Sequence, residues 1–358
     1  MPLFSPLTLR GITLRNRIGV SPMCQYSSED GFADEWHFVH LGQFAVGGAA
    51  LVLTEATAVL AEGRISRHDL GLWKDEHVDM LARIGRFVRA HGAVFGSQLA
   101  HAGRKASTAR PWDGGKPVSV DLGGWTPIVA PSALPFNDGY QTPCALDDAG
   151  IAGVVAAFKD AAVRALGAEM QALELHGAHG YLLNQFLSPL ANTRTDRYGG
   201  SFENRIRLIR DVVAAVRGVW PEQYPLLVRL SATDWREGGW TVEESVELAR
   251  RLSEDGADLI DCSSGGAVPN TTIPLGPGYQ VRFAEQIRRE AGIATGAVGM
   301  ITNATQADTI VRSGQADMVF LARELLRDPH WPLRAAHELH EEIAWPPQYV
   351  RAKPRGLL

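Results

Sequence analysis

The stretch Leu173-Glu174-Leu175-His176-Gly177-Ala178-His179-Gly180-Tyr181 sets two histidines and a tyrosine on a glycine-spaced segment. Two imidazoles three residues apart can offer N–H donors to one anionic or carbonyl oxygen. A phenol two residues further on can give that oxygen, or an adjacent carbon, a proton. The same residues also suit a metal-ligand pair or two loop histidines with ordinary hydrogen-bond partners. The elements that carry them decide which chemistry is open.

The apolar run Met170–Leu175 reads as a buried strand ending at His176. Before it, Leu7–Leu14 suggests a small hairpin turning at Arg10-Gly11, followed by a first strand at Arg17–Ser21. A helix over His37–Val46, a strand Ala50–Glu55, a helix Glu76–His91 and a strand Val94–Gln98 come next. Residues Ala100–Ala145 are rich in Gly, Pro and Trp and read as a long loop. Asp147-Asp148 offers a cap for a helix through Leu166. Beyond the histidines, Ser201-Phe202-Glu203-Asn204 opens a helix Arg205–Val219, and Pro225–Leu230 is a strand. Thr241-Val242-Glu243-Glu244 has capping-box spacing and starts a helix to Asp255. The strands Ala257–Cys262, Thr295–Val298 and Ala316–Leu321 then alternate with helices Val281–Ala291, Asn303–Ser313 and His330–Ile343.

Eight β runs, each followed by a helix, predict an α/β fold: a (β/α)8 TIM barrel with an N-terminal β-hairpin and long loop insertions. It is read as a single domain over 1–358, with 344–358 a tail. A doubly wound sheet would want G-x-G-x-x-G after the first strand, and that motif is missing. In a barrel, the residues following each strand converge on one mouth. These are Pro22-Met23-Cys24, Ala56-Thr57, Gln98, the His176/His179/Tyr181 group, Arg229, Ser263-Ser264, Gly299-Met300 and Ala322-Arg323. The segment after strands seven and eight, Gly296–Ile301 with Leu321-Ala322-Arg323, suits a phosphate held by backbone N–H groups and a guanidinium. Those glycines also serve simply to turn the chain. Gln98 and Arg229, buried at strand ends, want polar partners, and a planar heterocycle with amide edges would satisfy both.

Composition narrows the class. With 45% hydrophobic and 21% charged residues and a net charge of −5, the chain carries no electrostatic footprint for nucleic acid or membrane. No apolar run reaches the ~20 residues of a membrane span. The opening Met1-Pro2-Leu3-Phe4-Ser5-Pro6 lacks the basic head and apolar core of a secretory signal. Three dispersed cysteines, Cys24, Cys144 and Cys262, argue for free thiols in a reducing compartment. The expectation is a cytoplasmic enzyme.

Several motifs stand in order along the chain: Leu14-Arg15-Asn16-Arg17-Ile18, Ser21-Pro22-Met23-Cys24-Gln25-Tyr26, Gln98-Leu99-Ala100-His101-Ala102-Gly103-Arg104-Lys105, His176 to Tyr181, Arg194-Thr195-Asp196-Arg197-Tyr198-Gly199-Gly200-Ser201, and Gly296 to Ile301. Through them the chain resembles the old yellow enzyme family of FMN-dependent ene-reductases, in its thermophilic-like, classical-bacterial branch. The resemblance implies FMN, NADPH or NADH as hydride source, and reduction of C=C bonds conjugated to a carbonyl. It further implies that His176 and His179 bind the activating oxygen, that Tyr181 protonates the α-carbon, and that Tyr26 reaches the same oxygen. Pro22 and Met23 would pack the ring, Ala56 would offer backbone contacts, and Ser21 and Cys24 would also bind the cofactor, with Cys24 tuning it as a weak donor. Gln98 and Arg229 would hold its polar edge, and Gly299, Met300, Ala322 and Arg323 its phosphate end. Cys144 and Cys262 carry no such motif and are read as structural.

The tail Gln348-Tyr349-Val350-Arg351 resembles the segment that this branch projects into a neighbouring subunit's site. Arg351, or Arg355 a little further on, would then act in trans within a dimer or tetramer. The rival readings are a metal-dependent barrel hydrolase or aldolase with His176 and His179 as ligands, a dienoyl-CoA-reductase-like flavoenzyme, and a non-enzymatic binding protein. The dienoyl-CoA type would want clustered cysteines that this chain lacks. A binding protein would leave many polar groups at one face without purpose.

Overall fold

The computed structural model describes residues 1–354. A hairpin of β1 (Leu7–Leu9) and β2 (Ile12–Leu14) precedes β3 (Ile18–Val20), α1 (Glu35–Val46), β4 (Leu51–Ala58), α2 (Val78–Ala90) and β5 (Val94–Ala100). A long excursion contains the short strands β6 (Val129–Ala130) and β7 (Cys144–Ala145) and leads to α3 (Asp148–Gly167). Then come β8 (Ala172–Gly177), α4 (Leu182–Leu187), α5 (Phe202–Arg205), α6 (Arg207–Arg217), β9 (Leu226–Ser231), α7 (Val242–Glu254) and β10 (Leu259–Ser263). The series finishes with α8 (Val281–Ala291), β11 (Ala294–Ala297), α9 (Ala304–Arg312), β12 (Met318–Leu321), α10 (Arg323–Arg327) and α11 (Trp331–Glu338). Strands β3, β4, β5, β8, β9, β10, β11 and β12 pair in parallel in that order and close into a barrel. This is the (β/α)8 TIM barrel that the sequence predicts.

The two-residue period of a strand sorts its side chains between two environments. Phe95, Leu173, Leu175, Val228, Leu230, Ile260 and Val319 pack outward, in one cluster with Phe44, Ile84, Phe158, Val212, Leu248 and Ile287 of the helices. Leu51, Leu53, Val94, Ala172, Leu227, Leu259, Met318 and Phe320 form a second cluster, and the hairpin side chains Leu9, Ile12 and Leu14 join it. The hairpin therefore closes the floor of the barrel with apolar side chains. On β8, β9 and β10 the next inward positions turn polar, and two residues further on they reach the mouth: Ala172, Glu174, His176; Leu227, Arg229, Ser231; Leu259, Asp261, Ser263. Because both faces are buried, the strands read in sequence as continuous apolar runs.

Several helix starts carry side-chain caps, those at Asp147 and Thr241 as the sequence suggests. Asp34 accepts the amides of Trp36 and His37, Asp147 that of Gly150, and Thr241 and Glu244 form a reciprocal box. Each cap is worth roughly 1 kcal/mol.

The boundaries differ from expectation in a few places. Strand β4 runs on to Ala58 past a register shift between Leu53 and Ala56, so that Ala56 faces Gln98. The helix expected over Arg205–Val219 is two, broken at Ile206. The last helix stops at Glu338 rather than Ile343, and His340 adopts φ 58°. Cys144, read as structural, lies exposed on β7, whereas Cys262 is buried. Among the described residues no helix is long and apolar enough to cross a membrane.

Candidate active site at the barrel mouth

Beneath the mouth lies a ring of four polar side chains from adjacent strands. Gln98 of β5 faces Glu174 of β8 in register, and its Nε2 donates to Glu174 Oε1 at 2.7 Å. Arg229 of β9 faces Asp261 of β10, with Nε 3.1 Å from Oδ2. All four are buried. Burial raises the affinity of Glu174 for its proton, and the charge of Asp261 adds to that, against the pull of Arg229 and the bond from Gln98. Burial raises Asp261 too, but the adjoining Arg229 opposes it. One guanidinium between two carboxyls thus leaves the charge on Asp261 and the proton on Glu174.

The histidine turn sits one step higher. His176 pairs in register with Arg229, and Tyr181 packs edge-on against it with ring centres 5.0 Å apart. His179 has φ 61°, a left-handed conformation held because its N–H donates to Ser231 Oγ at 2.9 Å. The next amide, of Gly180, donates to Asn184 Oδ1 at 2.7 Å. The hydrogen bonds give the two rings one consistent tautomer. Ala178 N–H donates to His176 Nδ1 at 3.3 Å, so the ring proton is on His176 Nε2, facing His179 Nδ1 at 3.3 Å. His179 then carries its proton on Nε2 and donates to Ser263 Oγ at 2.7 Å. Burial, followed by the charge of Arg229, holds both imidazoles well below their usual range, so both are neutral. Tyr181 is pushed well up by burial, then by Cys24, Asp69 and Tyr140, and keeps its proton.

The loop after β3 forms the opposite wall. Ser21 is buried and its Oγ accepts from Arg229 Nη1 at 3.1 Å. Pro22, Met23, Cys24 and Tyr26 follow, each half-buried. Burial, and then the carboxylates of Asp69 and Glu55, drive the Cys24 thiol well up, which leaves it a neutral thiol rather than a nucleophile. Tyr26 is raised by burial and by Cys24.

From Arg229 and Ser263 a cavity of about 350 Å³ runs along Val298, Gly299 and Met300 to Ala322 and Arg323. Gly299 adopts φ 117°, and a Cβ there would lie 2.8 Å from Gln280 Nε2. Only glycine keeps this wall open. The described tail ends elsewhere. Arg351 is exposed in the turn Pro347–Ala352, where Tyr349 packs on His330 at 5.6 Å, and does not enter this chain's own mouth. Arg355 lies outside the described residues.

Comparison with known proteins decides the family. The pattern of the NADH:flavin oxidoreductase / NADH oxidase family matches residues 2–342. The chain belongs to this family. NADPH dehydrogenase of Geobacillus sp. (strain WCH70) is 52% identical over 98% of both chains, and that of Geobacillus thermodenitrificans (strain NG80-2) is 50% identical over the same shares. Morphinone reductase superposes with a TM-score of 0.77 at 30% identity, covering 97% of this chain and 92% of that one. The old yellow enzyme resemblance therefore holds, and the chain is a flavin-type oxidoreductase with FMN as its cofactor.

The residues present fit FMN. A wall kept open by glycine leads from a ring-sized polar edge at Gln98 and Arg229 to a guanidinium at Arg323. Orphaned buried atoms, Glu174 Oε2 among them, border that edge. A metal fits poorly: Ser263 and His176 already engage His179, Arg229 projects its charge at both rings, and among the described residues no three His, Cys, Asp or Glu side chains gather as ligands.

Four neighbours of this mouth carry no role that sequence alone assigns. Glu174 looked like one more residue of an apolar strand, although a carboxylate inside such a run is itself a signal. Ser263 follows a strand and so falls at the mouth, but a serine there signals no particular role. Gln280, which accepts from Ser264 Oγ at 2.6 Å, arrives from a loop before α8 and has no motif. Lys105 closes the Gln98–Lys105 motif, where its type suits the outer surface as well as substrate contact. Its Nζ instead donates to the carbonyls of His179 at 2.8 Å and Gly266 at 2.7 Å, and lies 5.6 Å from the Tyr181 ring centre. Burial, then Arg104, pushes Lys105 down to about 7.

Proposed function

We propose that this oxidoreductase is an ene-reductase that reduces C=C bonds conjugated to a carbonyl or similar group, using NAD(P)H in a ping-pong cycle. The observation that carries the reading is the joint placement of His176, His179 and Tyr181 above Gln98 and Arg229. FMN, when bound, supplies the hydride chemistry. The chain supplies the rest. His176 Nε2–H exchanges its weak 3.3 Å bond to His179 for a substrate oxygen, and His179 Nε2–H joins it by leaving Ser263. Two neutral donors in a water-poor site favour the charge that builds on that oxygen, more in the transition state than in the ground state. Tyr181, held protonated, delivers a proton to the α-carbon.

On the same reading, Pro22, Met23, Cys24, Ala56 and Ser21 line the ring, Gln98 and Arg229 bind its polar edge, and Gly299, Met300, Ala322 and Arg323 bind the phosphate. Tyr26 supports the substrate from the facing wall. We further propose a homo-oligomer in which Arg351, exposed on its own chain, reaches the mouth of a second copy. The test is anaerobic mixing of the FMN-loaded protein with NADPH, followed by cyclohexenone. Flavin bleaching and then full reoxidation by the enone are expected. Bleaching without reoxidation by any activated alkene would leave a dehydrogenase and refute ene-reduction.

A further inference from the structure

The loops after β4 and β5 enclose a second cavity, of about 180 Å³, on the rim of the barrel. Its wall carries Arg67, His68 and Arg110 and one carboxylate, Asp113. Asp113 pairs with Arg110 at 2.6 Å and cancels one charge. Arg67 has no carboxylate partner among the described residues. Its guanidinium lies against Gly123, where a Cβ would come within 2.8 Å of Nη1. His68 donates from Nδ1 to the Ser28 carbonyl at 3.3 Å, so its Nε2 is left to the pocket. Burial, and then the charges of Arg110 and Arg67, lower its proton affinity against the pull of the Ser28 carbonyl and Asp113.

This pocket is joined to the mouth by an aromatic path. The Tyr26 ring meets Trp112 edge-on at 5.8 Å, and Arg110 sits 5.3 Å from the Trp112 ring centre. Trp112 is 62% exposed, an open indole beside a binding site. An extended ligand that enters the mouth with one ring and ends in a phosphomonoester would follow this path. Guanidinium groups match phosphate oxygens with two parallel hydrogen bonds, and an indole face suits a planar base.

We propose that the rim pocket binds the 2′-phosphate of NADPH through Arg67 and Arg110, with Trp112 supporting the dinucleotide between there and Tyr26. The assignment rests on the proposed use of NAD(P)H and deepens it by naming what separates NADPH from NADH. Asp113 is the opposing charge at the site, and binding requires Arg110 to turn from it toward the phosphate.

Titration calorimetry on the FMN-loaded protein with 2′,5′-ADP, 5′-AMP and inorganic phosphate tests the pocket without any turnover. A charge-assisted bidentate contact predicts 2′,5′-ADP to bind about tenfold more tightly than 5′-AMP or phosphate alone. Arg67→Gln should erase that gap, and in stopped-flow reduction it should weaken NADPH by about tenfold while NADH moves less than twofold. Arg110→Gln should act in the same direction. Equal binding of the two nucleotides, phosphate binding as tightly as 2′,5′-ADP, or an equal shift for NADPH and NADH in Arg67→Gln would each overturn the proposal. If neither nicotinamide bleached the flavin, the proposed function would fall, and the nucleotide titration would still judge the pocket.

Discussion

A single proton separates the two kinds of acid at this mouth. Tyr181 holds its proton because burial and nearby Cys24, Asp69 and Tyr140 penalise the phenolate, while His176 and His179 stay neutral because burial and Arg229 penalise the imidazolium. The phenol is therefore the available proton donor to carbon, and the imidazoles are hydrogen-bond donors only. Tyr181→Phe should slow reoxidation by an enone by roughly a hundredfold and leave reduction by NADPH intact, as stopped-flow absorbance would show. Glu174 makes a second test at this scale. A neutral carboxyl that anchors the Gln98 amide can be replaced by an amide but not by a hydrocarbon. Glu174→Leu strands a buried N–H and should weaken FMN about tenfold, from a cost of roughly 1–3 kcal/mol. Glu174→Gln should restore most of the affinity, measured by flavin fluorescence. Equal loss in both variants would show that charge at Glu174, not its hydrogen bond, matters.

The turn between β8 and α4 presents these side chains, and it is held from three directions. Ser231 and Asn184 take its amides, Lys105 takes the carbonyl of His179, and Gly266 packs against its backbone. Gly180 adopts φ 72°, and a Cβ on it would lie 2.0 Å from the Gly266 carbonyl oxygen. Gly180→Ala must move one of the two loops, at a cost of at least roughly 1–3 kcal/mol. A lower Tm with disproportionate loss of the reoxidation rate is expected, since His179 shifts with the turn. A Tm equal to wild type would mean that the turn is softer than its contacts imply.

Across the whole molecule, several buried histidines couple stability to pH. His40 and His101 are both pushed down to about 4 by burial, and His37 adds to the shift at His40. A group whose folded pKa lies below its unfolded value of about 6.5 stabilises the neutral form. Its contribution is complete above pH 6.5 and is lost as pH falls toward 4. Raised carboxyls such as Glu174 and Asp69 have the opposite sign and lose stability as pH rises. These terms oppose each other between pH 6.5 and 4, so the test is a difference: Tm by calorimetry should fall less, or rise more, over that window in His40→Leu than in the wild type. The tail belongs to this scale as well. Removal of residues 349–358 should raise the KM for enone and weaken self-association in sedimentation. No change in either would confine Arg351 to its own surface.

The architecture was legible because barrel strands bury both faces: apolar runs at Ala50–Glu55, Met170–Leu175 and Pro225–Leu230 announce themselves, and capping residues such as Asp147 and Thr241 mark two of the helix starts between strands. The His176–Tyr181 turn was legible for the same local reason, since glycine spacing and residue type are written along the chain. Glu174 against Gln98, Asp261 against Arg229, Ser263 on His179 and Lys105 on the turn were decided only by closure of the barrel. Each joins residues from different strands or loops, and which of them meet depends on register and stagger, for which a one-dimensional pattern carries no term. The order of protons along His176, His179 and Ser263 is likewise a product of distance, and distance between remote residues exists only once the chain has folded.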